Sequence, residues 1–237
     1  MIPYIIINGV SSKNINGLLI QSLPPISKPK MRTSIEEIDG RDGDVVTTLG
    51  YAAYDKPITI GLKGDYNVDD VIEYFNTSGK VTFSNELDKY YNFAIYDTID
   101  FNRLIRFKTA NINLHVQPFK YSIDEPPIIF NNTSGATTKT ITVRNTGNIY
   151  SRPKLTITGS NTITVYIGNT QIFSIDLSAA GETIIIDDFN ATDGEGNYLN
   201  RQVTGDYENF KLPTGVNSLR ITGTFTSVTI DKYSRWI

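Results

Sequence analysis

The sequence contains no cysteine and a single histidine, His115. Without cysteine there are no disulfides, no thiolate nucleophile and no Cys-based zinc or iron–sulfur site. A Ser-His-Asp triad would have to use His115, but no G-x-S-x-G elbow presents a serine to it. His115 sits in N-I-N-L-H-V-Q-P, where Ile112, Leu114 and Val116 alternate to one face of a strand and the histidine falls on the other. No run of apolar residues approaches the roughly 18 needed to span a bilayer. The opening M-I-P-Y-I-I-I-N-G-V is too short and lacks the flanks of a signal peptide, so it reads as a first strand of a chain made and folded inside a cell. Charge of one sign is lacking too: the net charge is -3, and lysines and arginines are scattered, which leaves no footprint for specific nucleic-acid binding.

Other chemistry lacks its parts. The stretch 187–196, D-D-F-N-A-T-D-G-E-G, invites comparison with a calcium loop, yet in that alignment Asp193 takes the glycine position and Leu199 the bidentate glutamate position. A strand end followed by an Asp-Gly turn explains the same letters. The chain has many carboxylates but no spacing that singles out a glycosidase pair. G-R-D-G-D lacks the lysine and helix of a phosphate loop. No catalytic, cofactor-binding or metal residue is assigned, and no cofactor is expected.

What is present is strand and turn. The 237 residues include 18 Gly and 10 Pro, a composition rich in turns. Only N-V-D-D-V-I-E-Y-F-N has a helical period, with Val68, Val71, Ile72 and Phe75 on one face and Asn67 as N-cap. Strands are expected at 58–62, 81–83, 91–96, 104–107 and 112–116. In the second half Ile141/Val143, Leu155/Ile157, Ile163/Val165/Ile167, Ile184/Ile186, Leu219/Ile221 and Val228/Ile230 each face one side of a sheet, and Gly168-Asn169 closes a hairpin. Pro126 and Pro127 interrupt regular structure between the halves. The expected fold is mainly β in two domains: 1–125, a strand-rich barrel or sandwich with one short helix, and 126–237, a β-sandwich.

One segment does not suit a core. Residues 24–56 open with L-P-P-I-S-K-P-K, whose prolines cannot donate within a sheet, and continue through D-G-R-D-G-D, a charged turn in which Gly40 and Gly43 can take positive φ. Ile35, Ile38, Val45 and Leu49 lie among the charges, the pattern of a projecting hairpin, or of an arm folded back on its own sheet.

The order of these features resembles the distal tail protein family of long non-contractile-tailed bacteriophages, the hub of the siphophage tail tip. In the first half the elements are I-I-I-N-G-V, D-G-R-D-G-D with Tyr51 downstream, P-I-T-I-G-L, the single helix and Q-P-F-K-Y. In the second half they are the N-x-G-N, S-x-P and I-x-G elements of 141–159, I-I-I-D before an Asp193-Gly194 turn, K-L-P-T-G-V-N-S-L-R-I-T-G and the closing R-W.

The resemblance implies a ring-forming first domain and a second domain like galectins or carbohydrate-binding modules. It further implies a homohexamer that joins the tail tube protein to tail-associated and receptor-binding proteins, located at the virion tail tip after synthesis in the bacterial host cytoplasm. Larger members carry sugar-binding modules, for which 237 residues leave no room. On this reading Ile35, Ile38, Asp39, Arg41, Asp42, Asp44, Val45 and Leu49 form a subunit interface. The alternative function is a carbohydrate-binding adhesin acting through the second domain, with Tyr150, Tyr166, Phe173, Tyr198, Tyr207 and Trp236 as candidate stacking rings. A hydrolase ranks third.

Overall fold

The structure is a computed structural model that describes residues 2–237, apart from the side chain of Glu208. It is mainly β, and the chain forms two compact units that meet in sequence between Ile123 and Asp124, just ahead of Pro126.

The first unit contains β1 (Ile5–Ile7), β2 (Val10–Ser11), β3 (Leu18–Ser22), β4 (Met31–Glu37), β5 (Asp44–Tyr51), β6 (Tyr54–Leu62), β7 (Gly79–Phe83), β8 (Lys89–Ala94) and β9 (Thr109–Ser122). Seven of these make one antiparallel sheet in the order β2-β1-β7-β8-β9-β6-β3. Alternation sends Ile58 and Ile60 of β6 inward beside Ile112 and Ala110 of β9, and all four are buried. Helix α1 (Val68–Phe75) is capped by Asn67, whose side-chain oxygen accepts from the Asp69 N–H at 3.0 Å. It buries Val71, Tyr74 and Phe75, so Tyr74 shares the inner face and Val68 and Ile72 stay at its margin.

One expectation is overturned. Residues 104–107, read as a strand, belong to a second helix, α2 (Phe101–Phe107), so this unit has two helices rather than one. The causes are local. The Asp100 carboxylate accepts from the Arg103 N–H at 2.9 Å, Leu104 is completely buried, and Lys108 turns left-handed at φ 58° to end the helix. A strand reading places Ile105 and Phe107 on one face; the helix leaves both exposed.

The second unit contains β10 (Ile128–Asn131), β11 (Thr138–Asn145), β12 (Lys154–Ile167), β13 (Thr170–Asp187), β14 (Asn190–Thr192), β15 (Val203–Gly205) and β16 (Gly215–Asp231). Its strands form one seven-stranded sheet that rests on three long strands, β12, β13 and β16. The first half of β16 pairs with β11 and its second half with β10, while β13 pairs with β15 near its start and β14 near its end. The register between β12 and β16 shifts between Ser160 and Thr164, where the ladder is interrupted and the strands bend. The predicted inward positions Ile141, Val143, Leu155, Ile157, Ile163, Val165, Ile184, Ile186, Leu219, Ile221, Val228 and Ile230 are buried in the resulting core, while Ile167 is only partly buried against it.

The bend demands glycine. Gly223 has φ 125°, and a Cβ there would lie 2.5 Å from the Thr162 carbonyl oxygen and 2.9 Å from the Ile163 Cα. Both are backbone atoms, which cannot swing aside. Asn145 does similar ordering work at one end of β11: its side-chain amide donates to the Ile149 and Leu212 carbonyls at 2.9 and 3.0 Å, and its oxygen accepts from the Gly147 N–H at 2.9 Å. Gly147 lies against the Arg235 backbone, where a Cβ would come within 2.1 Å of the carbonyl oxygen. The N-x-G element and the closing R-W are thus two sides of one contact.

Gly223→Ala should destabilise the second unit by about 2–4 kcal/mol, the range for backbone strain combined with a steric clash. Calorimetry should show its melting lowered while that of the first unit is unchanged; equal melting in both would contradict the bend as described.

Candidate subunit interface

β4 and β5 stand outside the two sheets. They pair antiparallel with each other and with no third strand among the described residues, so both outer edges of the hairpin are open. The eight residues predicted as an interface all lie on this hairpin. The connection 38–43 carries Ile38, Asp39, Arg41 and Asp42; Ile35 is on β4, and Asp44, Val45 and Leu49 are on β5.

The turn follows from its glycines. The Arg41 N–H donates to the Ile38 carbonyl at 3.1 Å, with Gly40 at φ 80°, the arrangement of a type II turn whose third residue must be left-handed. Gly43 takes φ 78° and leads into β5. Ladder register then fixes what faces what. Ile35 is opposite Val46, and the two are 60% and 58% exposed, forming an apolar pair on one face. Val45, opposite Glu36, is half-buried instead. Leu49 is the extra residue of a bulge between the Thr33–Thr48 and Arg32–Gly50 pairs, and the Arg32 guanidinium donates to its carbonyl at 3.2 Å. Ile38, Leu49 and Met31 are also exposed. Val46 and Met31 are thus members of the surface that the sequence did not single out.

The root of the hairpin is fixed firmly. The Ala52 N–H donates to the Lys30 carbonyl at 2.8 Å, and the Tyr51 ring meets Phe119 of β9 edge-on with centroids 5.6 Å apart. Lys56 takes an inward position on β6 and is 2% exposed; its ammonium donates to the Pro25 carbonyl at 3.0 Å, which anchors the proline-rich lead-in. The rings of Tyr54, Phe83 and Tyr91 surround that ammonium at 5.5, 5.6 and 4.8 Å. Alongside, Glu86 accepts from the Tyr91 hydroxyl at 2.9 Å and pairs with Lys120 at 2.6 Å. Burial holds the Lys56 pKa below its ordinary value, against an opposing pull from Glu86. Burial also raises the Tyr54, Tyr74 and Tyr91 hydroxyl pKa values, with Glu86 adding to the effect at Tyr91.

The other singled-out residues have local employment. His115 Nδ1 lies 2.8 Å from the Asp55 carboxylate and its ring packs 5.3 Å from Tyr96, on the outer face of β9. In 187–196, β13 and β14 form a hairpin with Asp188 at φ 52°. The Asp193 carboxylate there accepts from the N–H groups of Glu195 and Asn197 and from the Asn197 amide at 2.7–2.9 Å. These bonds hold its pKa below the ordinary value. Among the candidate stacking rings, Phe173 is buried against Phe210, and cations cover Tyr166 and Tyr150: the Arg220 guanidinium lies 4.0 Å from the first ring and that of Arg235 4.5 Å from the second. Tyr198, at 75%, is the most exposed of the six.

No protein-family model matches the sequence, and no curated protein matches it. Among solved structures the chain is similar to the SPP1 Dit protein (gp 19.1), described as a paradigm of the hub adsorption apparatus in Gram-positive infecting phages. The TM-score is 0.65 at 19% identity, over 98% of this chain and 99% of that one. Chains of the phage P2 baseplate in its activated conformation, with calcium and with strontium, align at TM-scores of 0.48 and 0.47 with 10% and 11% identity, over 98% of each chain. At the identity of the first, the likeness is one of fold: the whole chain is built as that hub protein is built.

Lys56, Tyr54 and Tyr91 at the root, together with Tyr74 of α1, generate a pH dependence. The folded state keeps protons on Tyr54, Tyr74 and Tyr91 that the unfolded chain releases near pH 10, so their contribution is complete below about pH 10 and lost above it. Lys56 acts in the opposite sense, because the unfolded chain holds its proton longer; its contribution grows with pH until about 10.4. Melting of the first unit should therefore fall once the pH exceeds about 10, and Tyr74→Phe should flatten that fall. A profile that rises between pH 10 and 11 would contradict the tyrosine assignment.

Proposed function

We propose that the chain is the ring-forming hub of a phage tail tip, a homohexamer that joins the tail tube to tail-associated and receptor-binding proteins and leaves a lumen for DNA. The observation that carries this reading is the match of fold over essentially the full length of a phage adsorption hub protein. The free hairpin supports it from a different direction. A closed ring of heterologous contacts covers one such arm per subunit and leaves none over, whereas an unclosed arrangement leaves edges that aggregate. The net charge of -3 suits a lumen through which DNA passes without sticking. On this reading the protein is not an enzyme; it is made in the bacterial host cytoplasm and resides at the virion tail tip. Residues 35–49 are its subunit interface.

Mass measurement of the purified protein in solution tests the ring. A hexamer, or a monomer that closes into hexamers when tail tube protein is added, is the expected result. A monomer under both conditions that binds host wall polysaccharide saturably would replace the hub with the adhesin. Exchanging 39–44 for a Gly-Ser linker should weaken assembly and leave melting of both units unchanged. Rings formed at the wild-type concentration by that variant would show that the arm does not hold neighbours together.

A further inference from the structure

The tip of the free hairpin is strongly acidic. Across 36–44 it carries Glu36, Glu37, Asp39, Asp42 and Asp44 against Arg41 alone, five carboxylates to one guanidinium. None of the five has a hydrogen-bond or ion-pair partner among the described residues. The ladder even sets Glu37 directly opposite Asp44, a like-charge pair that weakens a hairpin standing alone. Ile38, 49% exposed, sits in the midst of these charges. Such a tip calls for a surface that is cationic and apolar together.

The same unit presents one. Residues 101–108, F-N-R-L-I-R-F-K, contain Arg103, Arg106 and Lys108 and no carboxylate. Lys108 is held by the Tyr66 hydroxyl and ring. Arg103 and Arg106 pair with no carboxylate among the described residues. They line a depression of about 620 Å³ with Asp100, Asn102, Phe107 and Thr109. Phe107 is 61% exposed, and the Arg106 guanidinium lies 5.3 Å from the centre of its ring.

We infer that the α2 surface formed by Arg103, Arg106 and Phe107 is the acceptor for the acidic hairpin tip of a second copy of this chain. This rests on the ring reading and deepens it, since it names both halves of a heterologous contact. Charge complementarity selects the occupant: an acidic tip with an apolar residue at its centre meets a basic surface with an exposed aromatic ring beside its guanidinium groups. Docking relieves the Glu37–Asp44 repulsion, covers Ile38 and Phe107, and leaves each chain with one arm given and one arm received, the condition for a closed ring.

The test uses full-length chains with the charges exchanged. Asp39→Arg/Asp42→Arg/Asp44→Arg reverses the tip, leaving Glu36 and Glu37 against four arginines, and Arg103→Glu/Arg106→Glu reverses the acceptor. Each variant alone should need about tenfold more protein to assemble, because every contact then opposes like charges. An equimolar mixture should assemble at about the wild-type concentration, since each tip then finds an acceptor of opposite sign on the other variant, and its rings should alternate in composition. All substituted residues are exposed, and unchanged melting of each variant verifies the fold; Arg103→Ala/Arg106→Ala provides a milder second acceptor variant, expected to weaken assembly to a smaller degree. Variants that assemble like wild type, or a mixture that assembles no better than its components, would overturn this contact and leave the ring standing. A wild-type chain that stays monomeric even with tail tube protein would overturn the ring and this inference together.

Discussion

A pair of strands with no third strand beside it buries too little to stay ordered in water by itself. That constraint governs the first unit. Everything that steadies β4 and β5 is gathered at one end: the Lys30–Ala52 backbone bond, the Tyr51–Phe119 contact, and the buried Lys56 ammonium that grips the Pro25 carbonyl. A lysine in a core carries a desolvation cost, which Glu86 and three aromatic rings offset. The cost places a rigid root beneath an arm whose far end has apolar side chains, open edges and uncompensated charge.

Magnitudes indicate why the arm suits a ring rather than a pair. Ile35, Ile38, Val46 and Leu49 are each about half exposed, so covering them yields on the order of 1 kcal/mol apiece. Association costs at least about 4 kcal/mol in lost freedom of motion, so one docked arm holds two chains only weakly. In a closed ring every chain is held at two contacts, and the last contact forms within a single assembly at high effective concentration. The second unit makes no comparable demand. Its long strands bend beside Gly223 and its core is closed by residues of β11, β12, β13 and β16.

Much of this was legible in the sequence, and the exceptions share a cause. The alternating Ile, Leu and Val pairs of the second unit are buried as expected, because a period of two leaves one choice of inner face. Asn67 caps α1 and Gly40 and Gly43 are left-handed, both dictated by their immediate neighbours. α2 was missed because L-I-R-F alternates as a strand does, and the deciding Asp100 cap lies outside the apolar run. Val46 was passed over for Val45, since which of two adjacent valines faces outward depends on the ladder register and on the bulge at Leu49. No local signal marks Lys56 as a core residue. Its place is set by Glu86, Tyr91 and Pro25, distant in sequence, and the isolation of the hairpin is likewise a fact about which strands pair, not about which residues form strands.

The central claim is that the hairpin is bare in the free chain and covered by a neighbour in the assembly. Hydrogen–deuterium exchange of the peptides covering 31–51, measured on monomer and on assembled ring, reads this directly. The account predicts fast exchange in the monomer while β6 and β9 stay protected, and marked slowing of 31–51 together with peptides covering 101–108 in the ring. Equal protection of the hairpin in monomer and ring would contradict it.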